Sequence, residues 1–215
     1  MSLILSSTQC ELREVLLKNK PEAMINISPK GTVPILNLHG AILEESLDII
    51  KWATEKNSSQ LHSFSESESS SSNYFIDLFD TQFKYHLDRY KYPDRFEALS
   101  EDHQQECSRI LFELDGHMDL KPWIYGKTVS LLDICILPFI RQCKIASPNW
   151  FESQGFSKVI DLLLHFESSE LFLRSMEKFD VWNPKDPQVN IFPKSVSYTH
   201  LRAHETPEHL VCRLL

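Results

Sequence analysis

The stretch Ser28-Pro-Lys-Gly-Thr-Val-Pro34-Ile-Leu36, with Glu44-Glu-Ser46 shortly after it, restricts what this chain can fold into more than any other feature. Gly31 punctuates a turn and releases the chain into a short strand, Val33 to Leu38, that carries a proline near its start. A second short strand, Ala41 to Leu43, follows His39-Gly40. The acidic-Ser pair then opens an amphipathic helix, Leu47 to Glu55. Each piece suits a small acidic thiol ligand. A proline removes its own backbone donor, and a cis X-Pro bond turns the preceding backbone outward, where an extended peptide can pair with it. A helix start offers free N–H groups to a carboxylate. Glu45 is placed to take an ammonium and Ser46 a carboxylate oxygen.

The rest of the chain is organised in two halves. Positions 57–73 are Ser-rich and poor in apolar residues, a composition that reads as a linker. After it come helical patterns. Tyr74 to Tyr90 spaces Phe75, Leu78, Phe79, Phe83 and Leu87 along one face, and Pro93 ends it. Ser100 opens a second helix, whose inner face is Ile110, Leu111, Leu114 and Met118. Lys121 to Gly126 reads as a turn. Ser130-x-x-Asp133 is a reciprocal capping box for an almost wholly apolar helix, Leu131 to Gln142. Its carboxylate looks catalytic, but the spacing assigns it a structural role. Lys158 to Phe179 holds the last helices, with Val159, Leu162, Leu163 and Phe166 as their stripe.

The Ser28–Leu36 stretch with Glu44-Glu-Ser46 resembles the glutathione site of glutathione transferases. Leu17-Lys-Asn-Lys20-Pro-Glu22 resembles the cysteine-type, omega-like branch of that family. Asp88-Arg-Tyr-Lys-Tyr-Pro93 and Ser130 to Gln142 extend the resemblance, which covers Met1 to Pro193. It implies an α+β, two-domain glutathione-transferase fold: a partial thioredoxin-like domain over 1–56, a linker over 57–73 and an all-α domain over 74–193. It implies glutathione as co-substrate, a small electrophile or mixed disulfide as second substrate, a homodimer and a cytoplasmic setting. The activity implied is that of a glutathione-dependent transferase or thiol-transferase, by deglutathionylation or conjugation, with this chain expected to be inactive for lack of the catalytic cysteine. The rival expectation is a non-catalytic binding or scaffold module of the same shape.

By resemblance, Lys20 pairs with the glycyl carboxylate, Val33 pairs by backbone with the cysteinyl part beside a cis Pro34, and Glu45 and Ser46 hold the γ-glutamyl end. Each has a plainer alternative. Lys20 is also an ordinary loop lysine, Pro34 also a trans edge-strand proline, and Ser46 also a bare N-cap. Arg89, Tyr90, Lys91 and Tyr92 are placed either to line an electrophile pocket or to form a solvated helix end.

Two ends of the sequence depart from the family pattern. The opening Met1 to Gln9 reads as the last turns of the family's first helix, followed by a strand from Cys10 to Leu17. The expectation is therefore of a chain without the family's first strand and active-site turn, so that no catalytic residue is assigned. Cys10 falls at a strand start with neither a following proline nor a helix N-terminus, a structural position. At the other end, Val196 to Thr206 and His209 to Leu215 resemble the in-frame translation of a sequencing adapter. The expectation is an artefactual, disordered tail over 194–215 that packs on nothing. His200, His204, His209 and Cys212 imitate a metal site there, and none is assigned.

Composition excludes several classes. A net charge of −8 argues against a nucleic-acid backbone as partner. No apolar run approaches the roughly 20 residues of a membrane helix. Cys10, Cys107, Cys135 and Cys143 form no CxxC pair or disulfide framework, which fits a reducing compartment.

Overall fold

Leu3, Ile4, Leu12, Leu36, Ile49 and Phe192 close one apolar cluster although they lie far apart in the sequence. This computed structural model describes residues 1–96, 100–119, 122–194 and 208–211. Its chain forms two compact units. One is Met1–Ser59 with the described residues from Glu170 onward, and the other is Gln60–Ser169. That division differs from the expected one. Leu171 and Phe179 pack against the cluster of the first unit, so the last part of the expected all-α domain folds with the sheet instead.

The first unit contains α1 (Ser2–Leu5), β1 (Cys10–Arg13), α2 (Glu22–Ile27), β2 (Ile35–Asn37), β3 (Ile42–Leu43), α3 (Ser46–Lys56), α11 (Glu170–Ser175), β4 (Asn190–Phe192) and β5 (Glu208–Val211). The strand order is β3-β2-β5-β1-β4. β1 stops at Arg13 rather than Leu17, because the Asn19 N–H bonds back to the Leu16 carbonyl at 2.9 Å and turns Leu16 and Leu17 outward. The Trp182 N–H reaches the Glu14 carbonyl at 2.8 Å, a second tie from the late part of the chain to this one.

β5 overturns an expectation. The tail that was to pack on nothing contributes Glu208–Val211 to the sheet interior, parallel to β1 and antiparallel to β2. Main-chain N–H and C=O groups of an interior strand must be paired, and an extended segment satisfies them whatever its side chains. Apart from Lys194, the remainder of the expected tail, with His200, His204 and Cys212, lies outside the described residues. Among those described, no three or more His, Cys, Asp or Glu side chains gather as a metal site.

The second unit is helical. α4 (Glu66–Leu78) begins inside the Ser-rich segment, which is therefore not a linker up to position 73. Ser65 and Glu68 form a capping box, and Glu66 and Glu68 place negative charge at the helix start. His62 stacks on Tyr125 at a 5.9 Å centroid separation and Phe64 meets the same ring edge-on at 5.4 Å, so the segment before the cap is anchored too. A π-helical turn, Phe79–Phe83, joins α4 to α5 (Lys84–Lys91). Then follow α6 (Pro93–Phe96), α7 (Ser100–His117), α8 (Leu131–Ala146), α9 (Pro148–Ser153) and α10 (Ser157–Ser168). The stripes expected on them are buried: Ile110, Leu111, Leu114 and Met118 on or just after α7, and Val159, Leu162, Leu163 and Phe166 on α10. No helix among the described residues is long and apolar enough to cross a membrane.

α5 and α7 meet through two histidines whose Nδ1 atoms are 2.8 Å apart, so one proton is shared between His86 and His103. Burial, then the nearby charge of His103, lowers the His86 pKa from its ordinary value of 6.5, with Arg109 and Arg89 adding to this and Glu106 opposing it. The unfolded chain therefore takes up this proton first as pH falls. The contribution to stability is complete above the unfolded value near 6.5 and is lost as pH falls through the lower, folded one. Thermal unfolding should thus show a larger acid loss in the native chain than in His103→Gln between about pH 7.5 and 5.5. Equal losses in the two would remove the histidine pair from the acid limb.

Candidate functional site

The turn before β2 and the start of α3 are tied together by two side-chain pairs. The Gly31 N–H donates to the Ser28 carbonyl at 2.9 Å, closing a turn that needs Gly31 at φ 62°. A Cβ at Gly31 would come 3.1 Å from Ile25 Cδ1, so glycine serves both the backbone angle and the close approach. The Ser28 hydroxyl, wholly buried, donates to the Glu44 carboxylate. Lys30 Nζ donates to Glu45 Oε1 at 2.8 Å. That hydrogen bond, then the charge of Glu45, raises the Lys30 pKa. Both ties span a loop and two strands, and neither is readable from local sequence.

The candidate residues are placed as follows. Lys20 is exposed, and its Nζ lies 3.5 Å from the Cβ position at Gly31, beside the turn. The Val33–Pro34 peptide bond is cis. Val33 packs on the small cluster of Val15, Met24 and Ile35, which fixes the entry to β2. Glu45, not Ser46, is the N-cap of α3, with extended backbone and no side-chain cap bond. Its carboxylate turns outward to Lys30 instead. Ser46 is the first helical residue and is exposed, so the N-cap alternative for it does not hold. The Ile49 N–H makes the first helical bond, to the Glu45 carbonyl at 3.1 Å. The amides of Ser46, Leu47 and Asp48 precede it and point out of the helix start.

This part of the first unit thus holds Lys20 beside a glycine turn, a strand entry with a proline, and a helix start with an outward carboxylate and a hydroxyl. Chemically it can hold a zwitterionic, carboxylate-bearing extended molecule. Among the described residues, no cysteine lies at the turn or the helix start. Cys10 is fully buried, and its Sγ donates to the Phe192 carbonyl at 3.3 Å.

The Asp88–Pro93 segment belongs to the second unit and divides by direction. Tyr90 is buried and its hydroxyl accepts from Gln104 Nε2 at 2.8 Å. Lys91 Nζ donates to Gln142 Oε1 at 2.7 Å. The Arg89 guanidinium lies 3.5 Å from the Tyr85 ring centroid and 4.5 Å from that of Phe96. Of the four residues named for a pocket, Tyr90 is core, Lys91 is tied down, and Tyr92 is exposed.

Comparison with known proteins supports the fold. The family described as glutathione S-transferase, N-terminal domain, matches residues 1–60. Glutathione transferase Omega 3C from Trametes versicolor superposes with a TM-score of 0.68 at 18% identity, over 84% of this chain and 83% of that one. A glutathione transferase family member from Pseudomonas fluorescens, with two glutathione bound, gives 0.60 at 19%, over 72% and 74%. A glutathione transferase from Pseudomonas putida, with one glutathione disulfide bound per subunit, gives 0.58 at 19%, over 71% and 72%. No curated protein matches the sequence significantly.

Proposed function

We propose that this chain, whose residues 1–60 match the glutathione S-transferase N-terminal domain, is a member of that family, a glutathione-dependent transferase or thiol-transferase by kind, and that it binds glutathione at the first-unit site. The observation that supports the proposal is the joined turn and helix start, Ser28 to Glu44 and Lys30 to Glu45, together with the cis Val33–Pro34 bond at the entry to β2. In this reading the α-carboxylate of the γ-glutamyl end sits on Ser46 and the amides of the α3 start, where the helix dipole favours negative charge. Its ammonium goes to Glu45. The main chain at Val33 pairs with the cysteinyl part, and Lys20 meets the glycyl carboxylate.

Lys30 then has a readable part. Its ammonium occupies the carboxylate that the ligand's ammonium takes. Both side chains are more than half exposed, so the pair is worth little and the exchange costs little. Lys30→Met should leave glutathione affinity within about threefold of the native value in calorimetric titration. A much larger loss would make Lys30 a direct ligand and redraw the site.

Catalysis is a separate matter. Conjugation and deglutathionylation need a thiolate or an activated hydroxyl near the ligand sulfur. Cys10 is sealed under Phe192 and does not supply one. This sealed thiol favours the second reading, a glutathione-binding module that does no chemistry by itself. We expect turnover below about 1 per second in both assays. Faster turnover that survives Cys10→Ala would show a catalytic group elsewhere in the chain, one that activates the glutathione thiol or attacks a mixed disulfide. Glutathione should nevertheless raise the thermal stability of the chain, by about 2.7 kcal/mol at 100 times its dissociation constant. A homodimer and a cytoplasmic setting are part of the same proposal, as is a small electrophile or mixed disulfide as second substrate.

A further inference from the structure

We propose that the position between β1 and β2 is a strand-accepting slot, which Glu208–Val211 fills by main-chain pairing. β1 and β2 do not pair with each other; each pairs on its inner side with β5. On its outer side β1 carries β4, and β2 carries β3. Without an occupant the sheet is two separate two-stranded ribbons, an arrangement that is marginal in water. Leu12 of β1 and Leu36 of β2 belong to one buried cluster, so that core needs the two ribbons held side by side.

The slot specifies direction and register. Its occupant runs parallel to β1, from Cys10 opposite Glu208 to Arg13 opposite Val211. It runs antiparallel to β2, from Ile35 opposite Val211 to Asn37 opposite His209. Main-chain bonds on both sides give affinity without reading side chains. That is how a stretch whose sequence reads as foreign to the fold completes the sheet. The occupant is the segment around Glu208–Val211, in its own chain or supplied as a separate peptide. The place is also close to the proposed ligand: Ile35, which follows Pro34, is level with Val211.

The test uses the full chain with Leu210→Pro, since proline lacks the donor and is confined to strand edges. Hydrogen exchange is read at Cys10–Arg13, at Ile35–Asn37 and, as a control in the other unit, at Ile134–Ile140. The substitution should speed exchange in the first two segments by at least about 100-fold and leave the control unchanged. An added peptide with the native sequence of residues 205–213 should restore protection, while the same peptide carrying the proline should not. Unchanged protection in the variant, or no rescue by the native peptide, overturns the proposal. Glutathione takes no part in this readout, so its failure to bind leaves the test intact.

Discussion

Replacing Asp133 by alanine should destabilise the helical unit by about 3 kcal/mol. The carboxylate is buried at the start of α8 and accepts three hydrogen bonds: from the Ser130 N–H at 2.7 Å, the Ser130 hydroxyl at 2.6 Å and the Ile124 N–H at 3.2 Å. Alanine orphans three buried donors at once, and each costs about 1–3 kcal/mol. The relief of burying no charge offsets part of that sum. Burial, opposed by these bonds, pushes the Asp133 pKa up to about 6 from 3.8. The folded state therefore holds this proton more tightly than the unfolded chain. The stability linked to it is fully present below pH 3.8 and is lost as pH rises through about 6. Asp133→Asn should keep much of the geometry while abolishing that pH dependence. Denaturant unfolding at several pH values checks both statements. A loss under about 1 kcal/mol for the alanine variant would mean that water or a neighbour replaces the carboxylate.

Phe83→Ala should cost about 4 kcal/mol, within the range for emptying a fully buried aromatic site. Phe83 has no solvent exposure and stacks on Phe79 with centroids 4.5 Å apart. Both lie in the π-helical turn between α4 and α5, so the cavity would open where two helices are joined and neither can shift alone. Phe83→Leu should recover most of the loss. If alanine and leucine cost the same, the effect would come from the turn's backbone rather than from packing.

Legibility in the sequence followed distance along the chain. Ser130 and Asp133 are three residues apart, and their box was readable because both partners are local. The apolar stripes of α7 and α10 were readable for the same reason, since periodicity is a local signal. Ser65 and Glu68 form a box of the same spacing, yet the Ser-rich composition around them pointed to a linker. Composition measures average burial, and it missed one cap and the rings of His62 and Phe64 on Tyr125. The placement of β5 was not readable, because main-chain pairing leaves no side-chain pattern. The Lys30–Glu45 and Ser28–Glu44 ties join a loop to a helix start across two strands, which no local rule spans. Of the site, the residue types on the turn and the helix start were legible, Glu45 among them; the ties that hold Glu44 and Lys30 were not. Glu44 is taken by Ser28, and only that leaves Glu45 outward as the cap of α3.

Calorimetric titration of reduced glutathione into the full chain, its Ser46→Ala variant and its Glu45→Gln variant tests the central claim most directly. The site predicts one saturable binding event per chain, weakened about tenfold or more in each variant, since each loses a hydrogen bond to a charged group of the ligand. Absence of heat in the native chain, or binding that neither variant alters, would contradict the site described at the start of α3.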